Sequence, residues 1–241
     1  ALTDQQRNFY REQGYLVLRN FFPADLMAEA SAEADALLRR QDLIAVANLR
    51  CRWQPNVHTG AREFETFDPV IDLGLVCRRI AHDGRLLAAL AALYGEEACL
   101  FKDKLIFKPP GVKGYGLHQD WIGWPGFPRS FLTVLVPFDR ADADNGCTIV
   151  FPGYHKEGSL SPEDGHYHEL SRELIDESLG VPLELEPGDL AFFGGFTPHC
   201  SAPNRSDRWR RQLYLSYNKV SDGGHQRARH YDCLLYTSPS P

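Results

Sequence analysis

The sequence predicts one α+β domain, with helices in its first hundred residues and then a core of many short strands forming a β-sandwich or barrel. Three observations predict it. Capped helical patterns run to Tyr94, whereas from Leu100 onward short apolar runs alternate with turn signals such as Asn145-Gly146 and Pro187-Gly188-Asp189. No Pro/Gly-rich linker, repeat or low-complexity tract divides the 241 residues. The composition, 43% hydrophobic and 24% charged, is that of an ordinary globular protein. A single domain of this length buries about 70% or more of its unfolded surface.

Taken in order, Thr3 is placed to cap a helix over residues 4–13 that Gly14 ends. Tyr15-Leu16-Val17-Leu18 reads as a strand, and Pro23 opens an Ala/Leu/Glu-rich helix to about residue 40 with an apolar face. Residues 43–70 have weak periodicity and several turn formers. We expect an irregular lobe there, holding Arg52, Trp53, Gln54, His58 and Thr59, either solvated or covering a site. Residues 76–80 and 84–94 read as helices, the second ended by Gly95.

Residues 100–108 form a strand that places Lys102, Lys104, Ile106 and Lys108 on one face and Asp103, Leu105 and Phe107 on the other. After Pro109-Pro110-Gly111 come His118-Gln119-Asp120 and an aromatic loop over residues 121–128. Residues 131–138 are an apolar strand, Asn145-Gly146 a hairpin signal, and residues 147–151 the returning strand. Residues 159–180 read as an insertion with a short helix near 171–177; its His166 and His168 imitate a metal pair but are expected at the surface. Strands over residues 181–185, 190–193 and 209–218 complete the core. The domain is expected to span residues 1–233, with 234–241 a non-native or disordered tail.

A net charge of −6 and a pI near 5.8 argue against nucleic-acid or anionic-membrane partners. No run of about 18 apolar residues is present, and the N-terminus lacks a basic-then-apolar signal pattern. Cys51, Cys77, Cys99, Cys147, Cys200 and Cys233 are scattered without a CxxC pair. Free thiols in a reducing cytoplasm are therefore expected, with a small-molecule substrate as the partner.

The chemistry centres on His118 and Asp120. Side chains two residues apart on an extended segment point the same way, which sets an imidazole beside a carboxylate. That is one ligand short of the two-His, one-carboxylate face that holds non-heme Fe(II), and His199 offers the missing imidazole. On the last strand, Arg210, Gln212, Tyr214, Ser216 and Asn218 share one face, and Arg211, Leu213, Leu215 and Tyr217 the other. The apolar face is expected to pack on helices and the polar face to line a hydrated cavity. A turn through residues 203–207 brings Arg210 alongside His199 and Ser201, where its guanidinium suits a carboxylate.

As a set, His118-Gln119-Asp120, Asn145-Gly146-Cys147, Phe151-Pro152-Gly153-Tyr154-His155-Lys156, the Pro187-Gly188-Asp189 turn, His199 and Arg210 resemble the phytanoyl-CoA dioxygenase family. Phe107-Lys108-Pro109-Pro110-Gly111 and the strand beginning at Tyr15 resemble its flanking segments. The resemblance covers nearly the whole chain apart from residues 43–70, 159–180 and the tail. It implies a double-stranded β-helix (a cupin-like jelly roll) flanked by helices, and an oxygenase that uses Fe(II), 2-oxoglutarate and O2. It further implies that His118, Asp120 and His199 ligate iron. Arg210 pairs with the distal carboxylate of 2-oxoglutarate, helped by Ser201 and Thr133. Lys102, Lys104 or Lys108 reaches the co-substrate's near end or an anionic substrate, or simply faces solvent. Halogenating relatives replace the carboxylate by a small residue; Asp120 is present, so hydroxylation is expected.

For the substrate, Trp121, Trp124 and Phe127 beside the triplet suit an apolar chain or an ammonium. Lys102, Lys104, Arg129 and Arg52 are candidates for the mouth, and His58 for a covering contact. Cations with aromatics favour a small zwitterion or anion, an aminoalkylphosphonate among them, over a CoA thioester. The competing readings are an O2-independent metal-dependent cupin enzyme, and a binding module on a degenerate jelly roll.

Overall fold

A capping box starts the chain: the Thr3 hydroxyl accepts the Gln6 N–H at 3.1 Å, and the Gln6 carboxamide accepts the Thr3 N–H at 2.9 Å. Helix α1 (Asp4–Gln13) ends at Gly14, whose φ of 82° suits a residue without a Cβ. The computed structural model describes residues 2–45 and 48–237. The helices that follow are α2 (Ala24–Leu38), α3 (Gln41–Ile44), α4 (Leu75–Ala81), α5 (Gly84–Tyr94) and α6 (Arg227–Thr237). The strands are β1 (Tyr15–Leu18), β2 (Cys51–Pro55), β3 (Arg62–Phe67), β4 (Ala98–Lys108), β5 (Tyr115–His118), β6 (Leu132–Pro137), β7 (Thr148–Val150), β8 (Val181–Pro182), β9 (Leu190–Gly194), β10 (His199–Ser201) and β11 (Arg210–Lys219).

Among the described residues the strands form two antiparallel sheets, ordered β1-β9-β6-β11-β4-β3-β2 and β5-β10-β7-β8. They face each other as a double-stranded β-helix. Leu135, Ala191 and Phe193 of the larger sheet pack against Cys147, Val150 and Leu183 on the side of the smaller one. The parity reading of β11 holds. Leu213, Leu215 and Tyr217 are buried with Leu105 and Phe107 of β4 against Leu26, Met27 and Ala30 of α2 and Leu86 and Leu90 of α5. Each buried Leu, Met or Phe among them contributes roughly 1.5–3 kcal/mol. The opposite face of β11 turns toward the second sheet.

Several expectations need correction. Residues 43–70 are not wholly irregular, because β2 and β3 pair across them and β3 joins β4 through Thr66 and Phe67. Their polar, aromatic sequence hid a sheet edge. Asn145-Gly146 does not turn β6 back on itself: β7 pairs with β10 and β8 in the other sheet. Asn145 is fully buried and binds the Asp142 N–H at 2.9 Å and the Arg140 carbonyl at 2.7 Å, fixing a crossover between sheets. The insertion at 159–180 contains 3-10 turns at Arg172–Leu174 and Glu177–Leu179 rather than an α-helix. The expected tail at 234–241 overlaps the last turn of α6, and residues 238–241 lie outside the described residues. The described cysteines, Cys51, Cys77, Cys99, Cys147 and Cys200, are buried and free.

Asp103 ties α6 and the α4 approach to β4. Its carboxylate is fully buried and accepts the N–H groups of Val70 at 2.7 Å and Ile71 at 2.8 Å, and Arg227 Nε at 2.6 Å. Asp103→Ala leaves two buried N–H groups unpaired. We expect a loss of roughly 3 kcal/mol in urea unfolding; a change below about 1 kcal/mol would mean that those donors find other partners.

Candidate active site

Strand pairing brings the two histidines together. His118 ends β5 and His199 begins β10, and they are direct partners in the antiparallel register, with ring centroids 4.2 Å apart. Each ring is oriented by its own backbone. His118 Nδ1 lies 2.8 Å from the Gly116 carbonyl, and His199 Nδ1 lies 3.0 Å from the Thr197 carbonyl. A carbonyl only accepts, so each Nδ1 carries the proton and each Nε2 presents a lone pair. Both lone pairs meet Asp120 Oδ1, at 3.6 Å from His118 and 3.5 Å from His199. The other carboxylate oxygen accepts the Thr133 hydroxyl at 2.8 Å.

The donor atoms of His118, Asp120 and His199 lie within 4.8 Å of one another. Burial, with His199 adjacent, lowers the pKa of His118, keeping its imidazole neutral. Three acceptor atoms thus converge with no donor between them, an arrangement that a divalent cation relieves. Two histidines and one carboxylate fit Fe(II) with coordination positions open.

The triad lines a cavity of about 530 Å³. At one end stand Tyr115, Thr148 and Ser201; the wall farther along β4 carries Lys102, Lys104 and Phe101, with Trp124, Arg52 and His230. Behind Ser201, Arg210 and Lys108 face each other as register partners, 1% and 0% exposed. Arg210 Nη1 donates to the Gly146 carbonyl at 2.7 Å, while its Nε is buried without a partner among the described residues. Lys108 Nζ donates to the Gly146 carbonyl at 3.1 Å, to Ser201 Oγ at 3.2 Å and to the Ala202 carbonyl. Gly146, at φ 72°, is needed here because a Cβ would strike the Ala202 backbone and come within 2.7 Å of Lys108 Nζ. Burial, then the Arg210 charge, pulls the Lys108 pKa down to about 6. A buried guanidinium with an unused N–H, beside an amine whose protonation an arriving anion would favour, fits a carboxylate coming past Ser201.

Several predicted site residues sit elsewhere. Thr133 points at Asp120 and orients that carboxylate, rather than standing beside Arg210. Trp121 does not line the cavity: period two sends it opposite Asp120, where it packs on Phe196 at 5.0 Å. Arg129 is exposed and stacks outside on Trp121 and Phe196, each at 5.0 Å. His58 is exposed in the β2–β3 turn, away from the cavity wall. Lys104 lines the cavity with its ammonium 5.1 Å from the Tyr214 ring centroid.

Sequence reasoning missed Tyr115, whose hydroxyl donates to the buried Glu65 at 2.6 Å, and Tyr167, whose ring lies 5.3 Å from that of His118. It also missed His230. Tyr167 and Glu169 bring the 159–180 insertion to the cavity wall. The only signal for Tyr115 was its place three residues before His118.

Comparison with known proteins agrees with this geometry. Residues 10–212 match the family model for phytanoyl-CoA dioxygenase (PhyH). A 2-aminoethylphosphonate dioxygenase from an uncultured bacterium is 29% identical over 223 residues, covering 92% of this chain and 83% of the relative. A methylphosphonate hydroxylase from Gimesia maris is 30% identical over 228 residues, with the same 92% and 83% coverage. Among solved structures, the epimerase SnoN in complex with Fe3+, alpha ketoglutarate and nogalamycin RO superposes with a TM-score of 0.78 at 20% identity, covering 99% of this chain and 92% of that one. EctD from S. alaskensis with 2-oxoglutarate and 5-hydroxyectoine gives 0.74 at 22% identity, over 92% and 77%.

Proposed function

The chain belongs to the phytanoyl-CoA dioxygenase family of enzymes that use Fe(II), 2-oxoglutarate and O2, and from that premise we propose that it hydroxylates a C–H bond of a small anionic metabolite bearing a phosphonate, with release of succinate and CO2. The observation that carries the substrate reading is the cationic wall of Lys102, Lys104 and Arg52 on the metal-facing cavity of a chain whose net charge is −6. The relatives named for 2-aminoethylphosphonate and methylphosphonate support it.

In this reading His118, Asp120 and His199 hold the iron, which supplies the O2 activation that side chains lack. The Gly116 and Thr197 carbonyls keep both rings aimed through Nδ1, and Thr133 keeps Asp120 from rotating. Arg210, with Lys108 and Ser201, receives the distal carboxylate of 2-oxoglutarate. Along β4 and β11, that pair lies six residues from Lys102 and Ser216, roughly 20 Å at strand rise. The co-substrate's anchor and the substrate's cationic wall therefore do not compete for one anion.

Anaerobic addition of Fe(II) and 2-oxoglutarate should give a visible metal-to-ligand charge-transfer band, which 2-aminoethylphosphonate or methylphosphonate shifts. In air, succinate should form in step with hydroxylated product. No band would sink the iron/2-oxoglutarate assignment of these residues; a band that no phosphonate perturbs would sink the substrate alone. Thr133→Val should weaken Fe(II) binding by about 10- to 100-fold, as loss of a ligand's hydrogen-bond partner does, with the thermal melt little changed.

A further inference from the structure

Three neighbouring strands of the large sheet put Thr133, Ser216 and Lys102 side by side in one row, and Thr133 holds Asp120. Strands lie about 4.8 Å apart, so the Lys102 backbone stands two strands, roughly 10 Å, from that of Thr133 along the cavity wall. Lys102 Nζ pairs with Asp68 at 3.0 Å, and Arg52 pairs with the same carboxylate oxygen at 2.9 Å. The second oxygen of Asp68 accepts the Tyr231 hydroxyl at 3.0 Å. One carboxylate therefore serves two cations. Lys104, two residues along the same face, has no ion-pair partner among the described residues. This part of the wall carries excess positive charge.

His230 of α6 closes the same corner. The residue is 8% exposed and lines the cavity, and its Nε2 is buried without a hydrogen-bond partner among the described residues. Its ring is held between Phe101, at 4.8 Å, and Trp124, at 6.2 Å. The helix is anchored by Arg227 on Asp103 and by Tyr231, whose hydroxyl accepts the Asp103 N–H at 3.0 Å. A buried ring nitrogen without a partner is costly unless a ligand supplies one.

We propose that Lys102, Arg52 and His230 together form the subsite for the phosphonate head, and that His230 is its specificity-determining residue. The proposal rests on the phosphonate reading above. A phosphonate offers three acceptor oxygens and up to two negative charges; the corner offers two cations that share one carboxylate, a further lysine nearby and a ring nitrogen. A carboxylate head would leave the ring nitrogen or one cation unmatched. With the head at Lys102 and the reacting carbon at the triad, the substrate is only a few bonds long, and an acyl thioester cannot be read the same way.

The test is calorimetric titration of 2-aminoethylphosphonate and methylphosphonate into the anaerobic Fe(II)- and 2-oxoglutarate-loaded enzyme. We expect Lys102→Met to weaken both by about 10- to 100-fold, as removal of a hydrogen bond to a charged group does, with 2-oxoglutarate affinity unchanged. Lys102→Met also removes one of the partners of the buried Asp68, so His230→Phe, which leaves every ion pair intact, is the second variant. It should lose about 10-fold, and His230→Gln should recover most of that. The sulfonate isostere 2-aminoethylsulfonate, a monoanion, should bind the wild type more weakly. A folded His230→Phe enzyme with wild-type phosphonate affinity would overturn the subsite while leaving the proposed substrate standing. A wild type that shows the charge-transfer band yet binds neither phosphonate overturns the substrate reading and this subsite with it.

Discussion

Asp120→Ala should leave a folded protein that neither binds Fe(II) at working concentrations nor forms succinate. Among the described residues the side chain is the only carboxylate at the convergence of the two imidazole lone pairs, and its Oδ1 is 3.6 and 3.5 Å from them. Its loss removes both the negative charge that offsets a divalent cation and one corner of the ligand face. The fall in metal affinity should exceed the ~10- to 100-fold expected for Thr133→Val, because a ligand rather than its support is deleted. Asp120 has no role in the helix-side core, and its removal relieves a buried charge, so the melting temperature of the metal-free protein should hold or rise. Equilibrium dialysis with Fe(II) and a succinate assay decide the matter. A variant that keeps wild-type succinate formation would exclude Asp120 as a ligand.

Features with local rules were legible in the sequence. The helix caps at Thr3 and Gly14, the parity of β11 and the pairing of His118 with Asp120 each follow from spacing alone. Features set by sheet partners were not. The Asn145-Gly146 turn carries a hairpin signature, yet the burial of Asn145 commits it to a crossover between sheets. Nothing in Arg62–Phe67 distinguishes a strand of the seven-stranded sheet from a polar loop until Thr66 and Phe67 meet β4. At the site, adjacency to the triplet placed Trp121 wrongly, because only alternate residues of the segment can face the metal. His230 was invisible because α6 lies far along the chain, and only tertiary packing carries it back to β4.

Lys108→Met should separate stability from co-substrate binding. In the folded protein burial and the Arg210 charge depress the Lys108 pKa to about 6, with Glu65 pulling back more weakly. In the unfolded chain it returns to about 10.4. Between those values the unfolded state binds one more proton than the folded state, so this group makes stability rise with pH across that window. The contribution is about 1.4 kcal/mol per pH unit. Urea unfolding from pH 6.5 to 9 should show that slope in the wild type, set against other groups, and the Met variant should lack it. A carboxylate delivered past Ser201 favours the ammonium form, so 2-oxoglutarate binding should take up a proton above about pH 6 and weaken as pH rises. In Lys108→Met the affinity should be lower, by about 10-fold or more, and independent of pH over that range. If the variant binds 2-oxoglutarate as the wild type does while the stability slope disappears, Lys108 serves the fold and Arg210 alone serves the co-substrate. A shared loss of both is the outcome that a buried guanidinium with an unused N–H, one strand from an amine whose charge it suppresses, leads us to expect.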